Sequence, residues 1–264
     1  MGGENSPKKN IEGLNIFLKK NYQKHDFIVK LFGDENILKL HLSKLNIKDD
    51  KIQIIHTDSV VSDEETPLSA IKNSKNTSMW NSIQSQVNGE ADISLSAGNT
   101  GVLFVISKMI LKMMNDVSRP ALAGLWPSKK GMSVVLDLGA NIECDDKNLV
   151  DFSEMGSALF KSIFPEQQPC VALLNIGSEE IKGTEILKKT YAKLKKLNNE
   201  KNFIFKGYIE GNQIMNGDSN VIVTDGFTGN IALKTAEGTA KFVVDSLKES
   251  LMENLISKLS IIFS

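Results

Sequence analysis

Short apolar runs and amphipathic stretches succeed one another along the chain. Phe27 to Phe32 (FIVKLF) reads as a strand, and Ile37, Leu38, Leu42 and Leu45 then recur at helical spacing between Asn36 and Leu45. Ile52 to Ile55 is strand-like, Asn76-Thr77-Ser78-Met79 looks like a helix start, and Ala91 to Leu95 reads as a buried strand leading into an apolar helix over Thr100 to Met114. Val134 to Leu138, Cys170 to Asn175, Phe203 to Phe205 and Asn220 to Thr224 are further short apolar runs, each separated from the next by loop or helical sequence. From Ala236 onward the pattern predicts one long helix, with Val243, Leu247, Leu251, Leu255, Leu259 and Ile262 on one stripe. Such alternation predicts an α/β fold with a mostly parallel sheet between helical layers. With no repeat and no linker, a single domain over residues 1–264 is expected, its C-terminal helical segment 236–264 protruding.

Composition narrows the function. The chain has 264 residues, 41% of them hydrophobic, which is enough for a sizeable core. Thirty-one basic against 32 acidic residues leave a net charge of -1, so no global positive field exists to hold a nucleic acid, and no nucleic acid partner is expected. No apolar run reaches the roughly eighteen residues a membrane span needs, and Met1 to Lys9 has no signal-peptide core, so a soluble cytoplasmic protein is expected. Cys144 and Cys170 show no paired framework, in keeping with a reducing compartment. Arg119 is the one arginine.

Candidate chemistry lies in four glycine- and asparagine-rich turns, each expected to follow a strand. Ser94 to Gly101 includes Ser96, Gly98, Asn99, Thr100 and Gly101, small residues at a helix start that suit an anion such as phosphate. A plain tight turn with Thr100 capping the helix explains the same residues. The other turns are Asp137-Leu138-Gly139-Ala140-Asn141, Asn175 to Gly183 with Lys182, and Thr224 to Asn230 with Asp225 and Gly229. In a parallel sheet, ligands gather beyond the carboxyl ends of the strands, where these turns would form a polar cleft. Asp137 and Asp225 fit either a substrate role or the tying of a loop, and Lys182 taken alone fits a solvated surface lysine. His25, His41 and His56 fall at no metal-ligand spacing, neither cysteine neighbours a histidine, and no nucleotide phosphate loop is present.

The turns resemble those of the bacterial phosphate acyltransferases of phospholipid synthesis, the PlsX family. The matching stretches are MGGENSP from Met1, KNTSM from Lys75, GEADISLSAGNTG from Gly89, RPAL from Arg119, LDLGAN from Leu136, FSEMG from Phe152, LLNIGSEEIKG from Leu173 and TDGFTGNIALKTAEG from Thr224, in the family's order. Members usually carry Asp where Glu4 stands, begin with a strand before that motif and continue past this C-terminus, so the chain is expected to be short at both ends. The resemblance implies a three-layer α/β/α fold like that of phosphotransacetylases and the isocitrate and isopropylmalate dehydrogenases. It implies transfer of a fatty acyl group from acyl carrier protein to inorganic phosphate, without metal or nicotinamide cofactor. It also implies a homodimer and peripheral contact with a membrane, where a glycerol-phosphate acyltransferase takes up the product. Lys182 and Asn230 match the lysine and asparagine at the family's reacting centre. Ser96, Gly98, Asn99, Thr100 and Gly101 would cradle phosphate, with Asn141, Asn175, Asp225 and Gly229 lining the cleft.

Two alternatives accompany this reading. One is a short-chain phosphotransacetylase-like enzyme on the same scaffold; a dehydrogenase relative lacks its acidic metal ligands and ribose partner here. The other is a catalytically silent scaffold or membrane-adjacent binding protein. For the C-terminal helix, burial in a dimer or core stands against insertion of Leu251 to Phe263 among lipid headgroups.

Overall fold

A computed structural model describes residues 2–47, 50–197 and 202–253, apart from the side chains at 70, 252 and 253. The chain forms two compact units, residues 1–114 and 115–264, with no linker composition at the boundary.

In the first unit, α1 (Lys8–Asn21), β1 (Val29–Gly33), α2 (Glu35–Lys44), β2 (Ile52–His56), α3 (Pro67–Asn73), α4 (Ser78–Val87) and α5 (Thr100–Leu111) follow in order. β1 and β2 pair in parallel, Val29 opposite Ile52 and Gly33 opposite His56. Two clusters hold the unit: Ile11, Leu31, Leu38 and Leu42, and Val61, Met79, Ile83, Val102 and Ile106. The strand expected at Ala91 to Leu95 does not form. This stretch has no ladder partner among the described residues, and Ile93 and Leu95 are 75% and 88% exposed, so its apolar character is not converted into burial.

The second unit holds β3 (Ala123–Ser128), β4 (Gly131–Leu136), α6 (Asp146–Ile163), β5 (Cys170–Leu174), α7 (Glu185–Leu197), β6 (Ile204–Ile209), a 3-10 turn at Gly211–Asn216, β7 (Val221–Val223) and α8 (Gly226–Glu253). The strands lie in the order β3-β4-β7-β5-β6, all pairs parallel except the β3–β4 hairpin. Period-two alternation gives the sheet two apolar faces. On one, Val134, Leu136, Val171, Leu173, Val221 and Val223 meet Leu149, Phe152 and Phe160 of α6 and Leu194 of α7. On the other, Val135, Leu174 and Ile222 meet Ile214 of the 3-10 turn and Ala232, Leu233 and Ala236 of α8. The result is the expected three-layer arrangement. Phe152 and Phe160 are fully buried, which contributes about 2 to 3 kcal/mol each.

The long C-terminal helix starts at Gly226, ten residues before the expected Ala236. Asp225 is the reason: its carboxylate accepts the Thr228 N–H at 2.9 Å and the Thr228 hydroxyl at 2.8 Å, a cap that starts the helix inside a glycine-rich stretch. Past Ala236 the helix leaves the sheet, and Phe242, Val243, Leu247 and Leu251 are exposed. Leu255, Leu259 and Ile262 lie outside the described residues. Among the described residues no helix is long and apolar enough to cross a membrane.

Candidate active site

Three of the four turns leave the carboxyl ends of neighbouring parallel strands, β4, β5 and β7. The first is organised by a carboxylate without solvent exposure. Asp137 Oδ1 accepts the N–H groups of Leu122, Gly139 and Ala140 at 3.0, 3.2 and 3.0 Å, and Oδ2 accepts the Asn141 N–H at 2.8 Å and its side-chain amide at 2.7 Å. Five donors satisfy the buried charge, so Asp137 ties the loop. The Asn141 side-chain amide also donates to Pro120 O at 2.8 Å, and the Asn141 main-chain carbonyl accepts the Gly226 N–H at 2.8 Å. The Asn141 main chain therefore joins this turn to the third, while its side-chain Nδ2 is spent on protein oxygens.

The third turn packs onto the first. Gly229 lies so close to Asp137 that a Cβ there would stand 1.9 Å from the Asp137 carbonyl oxygen, which is why a side chain is excluded. The next residue, Asn230, is exposed, lies over Gly139 and donates its amide to Leu138 O at 3.3 Å. Asp225 spends its carboxylate on the helix cap described above.

The second turn is built differently. Asn175 is buried; its Oδ1 accepts the Ile176 N–H at 2.9 Å and its Nδ2 donates to Lys182 O at 3.2 Å, closing the loop on itself. The Lys182 N–H donates to Glu179 O at 3.0 Å. The main chain at Lys182 is thus held on both sides, its methylene stem passes over Gly177, and the residue is exposed. A fixed backbone carrying a solvated ammonium at a strand end can present charge to an anion. Two residues back, Glu180 accepts from Tyr191 of α7, a contact without a sequence signal because the partners belong to different elements.

The fourth turn lies in the first unit and follows no strand. Asn99 caps α5, accepting the Val102 N–H at 3.1 Å, and its amide donates to Asp63 O and Glu65 O at 3.0 and 2.9 Å. The cap expected at Thr100 is therefore one residue earlier, because Thr100 is already the first helical residue. Gly98 donates its N–H to Ser96 Oγ at 3.2 Å, and Gly101 packs near Pro67.

Arg119 donates to Glu143 O at 2.6 Å, anchoring the segment after the Asp137 turn. Burial pushes the Cys144 thiol up to about 11, and it donates weakly to Asn141 O at 3.7 Å, which leaves little thiolate at neutral pH. His56 contacts the exposed Asp58 at 2.9 Å.

The model of a family described as fatty acid synthesis protein matches residues 1–264. A phosphate acyltransferase of Pelagibacter ubique is 56% identical over 260 residues, 98% of this chain and 76% of that protein. One of Maricaulis maris is 41% identical over 260 residues, 98% of this chain and 73% of that protein. Among solved structures, the EutD phosphotransacetylase from Staphylococcus aureus superposes with a TM-score of 0.60 at 19% identity, covering 83% of this chain and 76% of that one. A branched-chain phosphotransacylase from Enterococcus faecalis gives 0.57 at 14% identity, covering 89% and 81%. At such identities these two likenesses speak to the fold alone.

Proposed function

Since the chain belongs to the fatty acid synthesis protein family, matched from residue 1 to residue 264, we propose that it is a phosphate acyltransferase moving a fatty acyl group from acyl carrier protein to inorganic phosphate. The observation that carries this reading is the 56% identity, over 98% of the chain, to a protein named phosphate acyltransferase. A phosphate oxygen attacks the thioester carbonyl, the carbon–sulfur bond breaks, and the carrier leaves as thiolate and takes up a proton. The products are acyl phosphate and free carrier thiol.

Negative charge gathers on the phosphate and on the former carbonyl oxygen during attack. Lys182 is the cation assigned to that charge, and its anchored backbone and exposed side chain support the assignment. Asn230 is assigned to orienting the same group, with its amide already aligned by Leu138 O. One preorganised donor to a developing oxyanion contributes about 3 to 4 kcal/mol. Ser96, Gly98, Thr100 and Gly101 remain the proposed phosphate cradle, and the Asn99 side chain, spent on Val102 N–H, Asp63 O and Glu65 O, supports that turn. For Asn141, Asn175, Asp225 and Gly229 the contacts above favour supporting the turns over touching substrate.

The reading places the enzyme in the cytoplasm as a homodimer that meets membranes reversibly and hands its product to a glycerol-phosphate acyltransferase. The exposed apolar residues of α8, Phe242 at 71% and Leu247 at 59% among them, support a covered or lipid-facing helix. Long-chain acyl carrier protein and acetyl-CoA, each supplied with phosphate, test the substrate class: turnover is expected with the former. Turnover with acetyl-CoA alone would instead make it a short-chain enzyme, and none with either a silent scaffold.

A further inference from the structure

The pairing of β5 with β6 runs from Cys170 opposite Ile204 and Val171 opposite Phe205, then resumes with Leu173 opposite Tyr208, so β6 is bulged at Lys206 and Gly207. Gly207 takes φ +89°, a conformation that side chains resist, and a Cβ there would stand 3.3 Å from Tyr191 Cε2. The bulge seats the Tyr191 ring, whose centroid is 5.2 Å from Phe205 at 69° and 4.9 Å from Tyr208 at 42°. With the ring fixed, the phenol donates to Glu180 Oε1 at 2.6 Å. The same oxygen receives Lys195 Nζ at 3.0 Å, and that ammonium lies 5.5 Å over the Tyr191 ring.

The hydrogen bond from Tyr191, and after it that from Lys195, holds the Glu180 carboxyl below the usual carboxylate range. The same Tyr191 bond, with burial, pushes the phenol up to about 12. At neutral pH the phenol is therefore a donor and the carboxylate an acceptor. Exposed lysine–carboxylate pairs hold little because two long chains must be ordered to form them. A phenol whose ring is already packed loses little freedom on bonding, so Tyr191 is the stronger anchor.

The loop from Asn175 to Gly183 is consequently gripped at two points, Lys182 O from within by Asn175 and Glu180 from the α7 side by Tyr191. We propose that Tyr191, acting through Glu180, is a positioning residue that fixes the loop so that the Lys182 ammonium meets the charge developing in acyl transfer to phosphate. This rests on the assignment of Lys182 made above. Its leverage follows from the steep dependence of catalysis on geometry, where a misplacement of about 1 Å can cost about a hundredfold.

Tyr191→Phe keeps the ring and deletes the hydroxyl. In acyl phosphate formation from long-chain acyl carrier protein, kcat is expected to fall about tenfold while KM for the carrier and the thermal midpoint stay unchanged. Glu180→Gln, which keeps an acceptor oxygen for the phenol, should retain most of the rate that Glu180→Ala loses. Should Tyr191→Phe lower the thermal midpoint, the two Glu180 variants decide, because that side chain is 59% exposed and its loss leaves the core intact. Wild-type kcat in Tyr191→Phe, or equal losses in Glu180→Gln and Glu180→Ala, overturns the positioning role while Lys182→Ala remains impaired. Full activity in Lys182→Ala overturns the Lys182 assignment itself, and the positioning role with it.

Discussion

The turns after β4 and β5 leave neighbouring regions of one sheet edge and use their charged groups in opposite ways. After β4, Asp137 has no solvent exposure and five hydrogen-bond donors, so its charge is spent on the protein. After β5, the polar work of holding the loop falls to the neutral Asn175 and to Glu180, and the charged Lys182 is left in solvent. A charge that organises a loop has its hydrogen-bonding capacity taken up by the protein, whereas one that acts on a ligand is held by other groups and left unspent. The contrast separates residues that share a glycine- and asparagine-rich setting in the sequence.

The sharpest break of this contrast is Lys182→Ala. Removing the unspent charge should lower the rate of acyl phosphate formation about 10²- to 10³-fold, as for other oxyanion donors, with the thermal midpoint unchanged. Rate assays paired with thermal melts check both halves. Gly229→Ala should do the reverse: its Cβ would meet the Asp137 carbonyl oxygen, and urea unfolding is expected to show a loss of about 3 kcal/mol. The saturated turn also shields its thiol. With Cys144 raised from 9.0 to about 11 chiefly by burial, alkylation at pH 8 should run about a hundredfold slower than in the urea-unfolded chain, because the thiolate fraction falls in that proportion. The smallest effect is expected in the first unit, where Asn99→Ala removes the α5 cap at a cost of about 1 kcal/mol in urea unfolding.

How much of this was legible depended on whether a residue's partners are side chains or backbone. Continuous apolar runs disclosed β4, β5 and β7, since strands buried on both faces need apolar residues at every position. β3 carries no such run and contains Pro127, which the hairpin tolerates because β3 lies on the edge of the sheet. Ala91 to Leu95 misled because alternation records what could be buried, and nothing in the described residues buries it. Gly226 and Gly229 looked like loop and proved to be helix, with Asp225 starting the turn and Gly229 allowing the approach to Asp137. In the candidate site, the place of Lys182 after a strand was readable. The saturation of Asp137 was not, since four of its five donors are backbone N–H groups that no residue type announces.

If phosphate is the acyl acceptor, its own oxygen becomes the bridge to the acyl group, and isotope labelling follows that oxygen. Long-chain acyl carrier protein is incubated with the enzyme and phosphate bearing ¹⁸O at every oxygen, and the lipid product is weighed by mass spectrometry. The expected product is acyl phosphate that keeps all the label, bridging oxygen included, with carrier thiol released only when phosphate is present. Release of thiol at the same rate without phosphate, with free fatty acid as the product, would contradict phosphate as the acyl acceptor.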